Sequence, residues 1–132
     1  MVEATFRPRG PFSLRDSAVW ASDATRRFDG RVLVALFAVE DGVARACAWQ
    51  QADGRVELRS HSEEALERLR ATLPLDEDHS EFLRRFADDP LLARTLRAVP
   101  GKRPLRVGSV TQALVRAVCG QLIASSEARR IE

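Results

Sequence analysis

The sequence lacks the features that mark membrane, secreted and metal-binding proteins. It has no run of about 18 apolar residues that could cross a bilayer, and its N-terminus has no basic-then-apolar signal pattern. Its only histidines, His61 and His79, and its only cysteines, Cys47 and Cys119, do not fall at metal-ligand spacing. We therefore expect a cytoplasmic protein with no membrane contact, no metal and no cofactor.

The small number of histidines and cysteines also limits the roles that these residues can have. A disulfide between the two cysteines stays open from the sequence alone, but two buried free thiols fit a reducing compartment better. Each histidine stands beside a predicted helix start with no cluster of ligands around it. We expect both histidines to lie on the surface.

Lysine is almost absent, and one long segment has no acidic residue. Arginine outnumbers lysine twenty to one, which reflects a compositional bias of the source better than arginine-specific recognition. The formal net charge is only +2, so the chain is not a polycation that coats nucleic acid by charge alone. Between Asp89 and Glu127, however, all charged residues are basic, which suits phosphate contacts or, alternatively, a solvated basic face. These residues are Arg94, Arg97, Lys102, Arg103, Arg106 and Arg116.

The middle of the sequence has the pattern of an antiparallel sheet. The apolar run 32–39 and the alternating runs 43–49 and 55–59 have strand length, and Asp41-Gly42 and Asp53-Gly54 join them. Asp-Gly between such runs is a strong hairpin signal, because glycine accepts the positive φ of tight hairpin turns. We predict a three-strand meander whose first strand is central and buried on both faces.

Before the meander, the sequence predicts a short strand and a helix. Residues 4–7 can add a fourth strand before the turn-rich segment 8–11. Ser13 is a helix cap, and the helix is expected to run to about Ala21 with Trp20 in the core.

After the meander, three helices are predicted from their caps and apolar spacing. Ser60 with Glu63 and Asp78 with Glu81 have the spacing of capping boxes, and Asp89-Pro90 begins a third helix that ends at Pro100-Gly101. The expected core positions are Ala65, Leu66, Leu69 and Leu73 in the first, Phe82, Leu83 and Phe86 in the second, and Leu91, Leu92 and Leu96 in the third.

The last helix begins at Ser109, with Gln112 placed to close a capping box. Leu114, Ala117, Val118, Gln121 and Leu122 then share one side at helical spacing. No stop signal follows before Glu132, so we expect the chain to be cut off within a helical pattern. Within the helix, Gly120 costs about 1 kcal/mol relative to alanine, which indicates close approach of another backbone from a neighbouring helix or from DNA.

The order of elements predicts an α+β fold in two parts. Residues 1–76 form an N-terminal domain with helices packed on the antiparallel sheet, and residues 77–132 begin an all-helical segment. The boundary is the acidic, proline-containing linker 74–78.

Residues 88–131 resemble the 3-methyladenine DNA glycosylase II family of the helix-hairpin-helix DNA glycosylases. The resemblance rests on the turn Pro100-Gly101-Lys102-Arg103-Pro104, on the capped helix containing Arg116-Ala117 and Gly120-Gln121-Leu122-Ile123-Ala124, and on Ala128-Arg129 one turn later. It implies that the sheet domain is a TATA-binding-protein-like half domain and that the following helices begin an all-α glycosylase core. It also implies that the complete protein binds double-stranded DNA.

The resemblance assigns DNA-binding roles to Gln121 and Leu122. A glycosylase must swing the damaged nucleotide out of the duplex and fill the gap, and an apolar wedge on a rigid helix end can do so. The family places its minor-groove residue where Leu122 stands, and Gln121 can contact base edges or brace the opposite strand. Alternatively, Leu122 is a core leucine and Gln121 an exposed polar neighbour.

The catalytic apparatus of that family is absent from the sequence. After Gln121 only eleven residues remain, too few for a glycine-rich hairpin between helices or for the aspartate that stabilises the oxocarbenium-like sugar. We therefore predict that this chain alone does not excise bases, and that its parent protein hydrolyses the N-glycosidic bond of alkylated, 3-methyladenine-type purines.

Three alternatives remain open at this point. The chain could belong to an 8-oxoguanine-type glycosylase, it could be a free-standing, non-catalytic DNA- or protein-binding module, or it could be an α+β domain with accidental motif similarity. Association of the chain through an exposed helix over residues 110–132 would separate the fragment from the self-contained module.

Overall fold

The computed structural model describes residues 1–122 and residue 127, and it confirms the α+β class. The five strands are Val2–Phe6 (β1), Arg26–Phe28 (β2), Val32–Val39 (β3), Gly42–Gln50 (β4) and Val56–Ser60 (β5). The five helices are Leu14–Ala18 (α1), Glu63–Thr72 (α2), Ser80–Arg85 (α3), Ala93–Ala98 (α4) and Val110–Leu122 (α5).

All five strands form one antiparallel sheet in the order β1-β5-β4-β3-β2. The meander is confirmed, with Gly42 at φ 123° and Gly54 at φ 86° in its two turns. The predicted N-terminal strand is also confirmed, although it begins at Val2 and pairs with β5. Strand β2 was not predicted; it is three residues long and contains two arginines.

The position and burial of β3 differ from the prediction. The central strand is β4, and β3 alternates between buried Leu33, Ala35 and Phe37 and the more exposed Val34 and Leu36. The continuous apolar run 32–39 therefore covers only one face of the sheet with core residues. The other face is not covered by a helix within the described part of the chain.

The core lies between the sheet and α2. Leu33 and Leu58 of the sheet and Ala65, Leu66 and Leu69 of α2 are all buried in one cluster, as the apolar spacing predicts. The cap of this helix is not the predicted one.

Ser62 caps α2 by accepting a hydrogen bond from the Ala65 backbone N–H at 3.2 Å. Ser60 instead donates its hydroxyl proton to the Arg45 carbonyl at 2.9 Å, because it is the last residue of β5 and still belongs to the sheet. The capping box between Ser60 and Glu63 is therefore not formed.

Helix α1 is confirmed at its start and shorter than predicted at its end. Ser13 accepts a hydrogen bond from the Asp16 backbone N–H at 3.1 Å. The helix ends at Ala18, and Ala21 is the buried apolar residue of the following turn. Trp20 is 70% exposed, so its assignment to the core is wrong.

Helices α3 and α4 are also short and bury few side chains. The Asp78 carboxylate accepts hydrogen bonds from the Ser80 backbone and hydroxyl, and Asp89 accepts from the backbones of Leu91 and Leu92. These carboxylates close tight turns, and the helices begin after them. The predicted inward faces are wrong: α3 contains no buried residue, Leu91 is 87% exposed, and α4 buries only Ala93.

The buried side chain of Arg103 joins the segment after α4 to the turn before α1 and to the residues that follow α2. Its Nη1 donates to the Pro74 carbonyl at 2.7 Å, its Nη2 to the carbonyls of Pro11 and Arg9, and its Nε to His79 Nδ1 at 3.1 Å. The residue is 3% exposed. Arg103 is therefore a structural residue, and its expected phosphate contact is wrong.

The two histidines have different surroundings. His61 is exposed as predicted, whereas His79 is half-buried and is not a plain surface residue. Because His79 Nδ1 accepts from Arg103, the proton of the neutral ring is on Nε2, which lies 2.8 Å from the Pro100 carbonyl oxygen. The cysteines are free but only half-buried, so the expectation of full burial is wrong.

We expect Arg103→Met to lower the free energy of unfolding by about 3 kcal/mol, since it leaves several carbonyls without their donor at about 1–3 kcal/mol each. Urea unfolding followed by circular dichroism measures the change. Arg94→Met, at an exposed arginine of α4, is the matched control and should change stability by less than about 0.5 kcal/mol. Equal stabilities of the two variants would contradict the structural role of Arg103.

Candidate nucleic-acid interface

Helix α5 carries the candidate DNA-binding residues, and its start is capped as predicted. Ser109 accepts a hydrogen bond from the Gln112 backbone N–H at 3.1 Å. The second half of the capping box is absent, because the Gln112 side chain turns away and donates to the Thr25 hydroxyl at 3.4 Å. The first turn of α5 is thereby attached to the segment before β2.

The polar side of α5 faces the sheet domain, and its apolar side faces solvent. Gln112, Arg116 and Cys119 are half-buried at helical spacing. Leu114 is 61% exposed and Val118 is exposed as well. This arrangement is the reverse of an ordinary surface helix, which turns its apolar stripe inward.

A buried carboxylate holds the inward side of α5. Asp23 Oδ1 accepts hydrogen bonds from the Thr25 backbone, the Thr25 hydroxyl and the Arg26 backbone, each at 2.8 Å. Its Oδ2 accepts from Arg26 Nη2 at 2.8 Å and lies 3.5 Å from Arg116 Nη1. Asp23 therefore connects β2 to α5 through two guanidinium groups.

The environment of Asp23 keeps it ionised. Burial alone raises the pKa of this carboxyl, but the hydrogen bonds from Thr25 and Arg26 and the charge of Arg26 lower it more, so the net pKa is below its ordinary value. In the sequence, Asp23 is followed two and three residues later by Thr25 and Arg26, whose groups it binds. This spacing is typical of an Asx turn. That signal predicts the local turn but not the contact with α5.

The predicted residues stand at the last turn of α5. Gln121 is exposed, and Leu122 is the final residue of the helix, with its side chain outside the described residues. Within the described part of the chain, apart from its two neighbours and the backbone of α5 itself, no heavy atom lies within 4 Å of the position that a Cβ on Gly120 would take. The expected close approach of another backbone to Gly120 is therefore not made by these residues.

The basic segment divides into buried and exposed cations. Arg103 is buried, Arg106 pairs with Glu77, and Arg116 is half-buried against Asp23. Arg94, Arg97 and Lys102 remain exposed, so the positive charge available for phosphate lies on α4 and on the turn after it.

The described residues contain no group of three histidine, cysteine, aspartate or glutamate side chains that could hold a metal ion. None of the described helices is both long and apolar enough to span a membrane.

Comparison with known proteins gives a match of fold. No protein-family model matches the sequence, and a search of curated proteins finds no sequence match. The structure is similar to that of 3-methyladenine DNA-glycosylase from Archaeoglobus fulgidus, with a TM-score of 0.66 and 17% sequence identity. The chain shares its fold with part of a DNA glycosylase. The alignment covers 98% of this chain and 47% of the glycosylase, so the chain spans about half the length of that protein.

We expect Asp23→Asn to lower the free energy of unfolding at pH 7 by about 3 kcal/mol, because it leaves a buried arginine without its counter-ion. Since the folded-state pKa of Asp23 is depressed, its stabilising effect is present above the unfolded-state pKa of about 3.9 and is lost as the pH falls through the lower folded value. The difference between the natural chain and Asp23→Asn should therefore shrink below about pH 4.

Urea unfolding at a series of pH values measures this convergence. Asp29→Asn is the matched control, because Asp29 also accepts two backbone hydrogen bonds, at 2.8 and 2.7 Å, but is exposed. A constant difference between the natural chain and Asp23→Asn down to the lowest pH would contradict the ionised state of Asp23.

Proposed function

We propose that this chain is the N-terminal portion of a DNA glycosylase of base excision repair, which flips alkylated purines out of duplex DNA and hydrolyses their N-glycosidic bond. In this proposal, residues 1–76 are the sheet domain and residues 77–132 begin the helical core. The observation that carries it is the position of Gln121 and Leu122 at the end of an α5 with an exposed apolar side, within a fold shared with part of a glycosylase.

The end of α5 supplies the wedge in this mechanism. Leu122 enters the space left by the extruded nucleotide, and its apolar side chain offsets part of the unstacking free energy of a few kcal/mol. Gln121 is exposed beside it and can donate to or accept from base edges. The open space beside Gly120 leaves room for a DNA strand to approach the helix.

Phosphate contacts come from the exposed cations. Arg94 and Arg97 project from α4, and Lys102 follows it in the turn before α5. Such contacts position the protein on the duplex without reading its sequence. The proposed partner is therefore double-stranded DNA, bound by the complete protein in the cytoplasm.

Five of the described aspartates have structural roles, which supports the prediction that this chain alone is inactive. Asp23 binds Thr25 and Arg26, and Asp29, Asp53, Asp78 and Asp89 accept backbone N–H groups of their own turns. A catalytic carboxylate must instead face the sugar of the flipped nucleotide. The preference for alkylated purines over oxidised ones rests on the resemblance of residues 88–131 to the 3-methyladenine DNA glycosylase II family.

We expect the product of the complete reading frame to release 3-methyladenine from methylated duplex DNA, and the 132-residue chain to release none. Chromatography of the freed bases measures both. Leu122→Ala in the complete protein should slow excision from duplex DNA by about tenfold, which corresponds to about 1.4 kcal/mol of lost transition-state stabilisation.

The loss should be smaller on single-stranded DNA, where no stack has to be opened. Leu91→Ala removes an equally large, exposed side chain and serves as the matched control. Release of 8-oxoguanine alone would support the oxidised-purine alternative, and no base release at all would contradict a glycosylase. Equal rates for Leu122→Ala and Leu91→Ala would contradict the wedge.

A further inference from the structure

A cavity of about 460 Å³ lies between α1, α4, the 100–105 segment and the inward side of α5. Its volume is within the range of about 300–1,000 Å³ that holds small organic ligands. Trp20, Leu96, Val99 and Leu105 contribute apolar walls, and Lys102 and Arg116 contribute positive charge. Of these residues, the DNA-binding proposal uses only Lys102.

The charged side chains that line the cavity are basic in the part of the chain that the structure describes. They are Arg26, Lys102, Arg103 and Arg116, and no described acidic residue is part of the lining. Arg26 has a counter-ion in Asp23, with an N–O distance of 2.8 Å, and Arg116 also approaches Asp23. Lys102 adds an exposed positive charge to the lining.

Arg103 is the most deeply buried of these cations. Its hydrogen-bond partners are three backbone carbonyls and the His79 ring. The charges of Asp78 and Glu77 stabilise its charged form, but among the described residues no carboxylate forms an ion pair with it. A buried charge without a contacting counter-ion is unfavourable, and an anion placed in the adjoining cavity relieves that penalty.

The exposed ring of Trp20 indicates a ligand with a flat aromatic ring. Its large ring remains 70% exposed where it borders the cavity, although an aromatic ring of this size is normally covered. An indole ring stacks well on another flat aromatic ring, and the aliphatic side chains of Leu96 and Val99 complete an apolar surface.

We propose that this cavity binds a small organic anion with an aromatic body, such as an aromatic carboxylate. Its ring packs against Trp20 and the apolar walls, and its charged end is held by the basic residues that line the cavity. Neither Gln121 nor Leu122 lines the cavity, and Lys102 is the lining residue that this site shares with the proposed phosphate contacts.

The test uses three probes with the same ring system and different charge on the 132-residue chain. They are 2-naphthoate, the neutral 2-naphthalenemethanol and the cationic 2-naphthylmethylamine. The indole N–H signals of Trp20 and Trp49 in a nitrogen-15 correlation spectrum report binding at two places, and Trp20→Phe assigns them. We expect naphthoate to shift the Trp20 signal, to leave Trp49 unchanged and to bind about tenfold more tightly than the other two probes, the factor given by one charge-assisted contact.

Two variants locate the site. Trp20→Ala should weaken naphthoate binding by removing the apolar wall, and Lys102→Gln should weaken naphthoate but not the neutral alcohol. Arg27→Gln is the matched control, since Arg27 is an exposed arginine next to Arg26 in sequence and does not line the cavity. Equal affinity for all three probes, a shift of Trp49 only, or full binding to a folded Trp20→Ala variant would each overturn the proposal, whatever the outcome of the excision assay.

Discussion

The buried guanidinium of Arg103 is the interaction on which the arrangement of the chain depends. The turn before α1, the linker after α2 and the start of α3 all bind this one side chain. A planar group with five donors can serve several carbonyls at once, which a lysine in this place could not do. Next to it, a Cβ on Gly101 would lie 2.7 Å from the Ser13 backbone nitrogen, so only glycine permits this close passage. The turn 100–104 therefore connects the segment after α4 to the turn before α1 and to the linker after α2, and it also carries part of the glycosylase resemblance.

Sequence patterns within a short stretch correctly predicted the elements that turn geometry and one buried face determine. The Asp-Gly turns and the apolar spacing of residues 65–73 were sufficient for the meander and for α2, because turn geometry and one buried face determine them. They failed for Trp20, Phe82 and Leu91, since an apolar residue in a short helix does not reveal whether another element covers it. Strand β2 was missed because it exists through pairing with β3 and through Asp23, neither of which appears in the local pattern.

The sequence predicted the helix that carries the candidate site, but not which of the basic side chains near it are exposed. Ser109 and the spacing after it located α5, whereas the basic run could not distinguish Arg103 and Arg106, which bind the chain itself, from the exposed Arg94 and Arg97. Charge along a sequence does not show whether carbonyls or carboxylates lie close by in the fold. The same limit applies to Asp23, whose role depends on Arg116, 93 residues further along the chain.

The orientation of α5 connects the fold to the proposed chemistry. The contacts of Gln112 with Thr25 and of Arg116 with Asp23 fix the rotation of the helix, but they bury little apolar surface, and burial of apolar surface supplies most helix stability in proteins. A wedge must keep its place against the restacking of bases, so its helix has to be rigid. In a glycosylase core, further helices packed on the side that carries Leu114 and Val118 would supply that rigidity. In that arrangement the polar contacts would fix the orientation of α5, and packing of its apolar side would make the helix rigid.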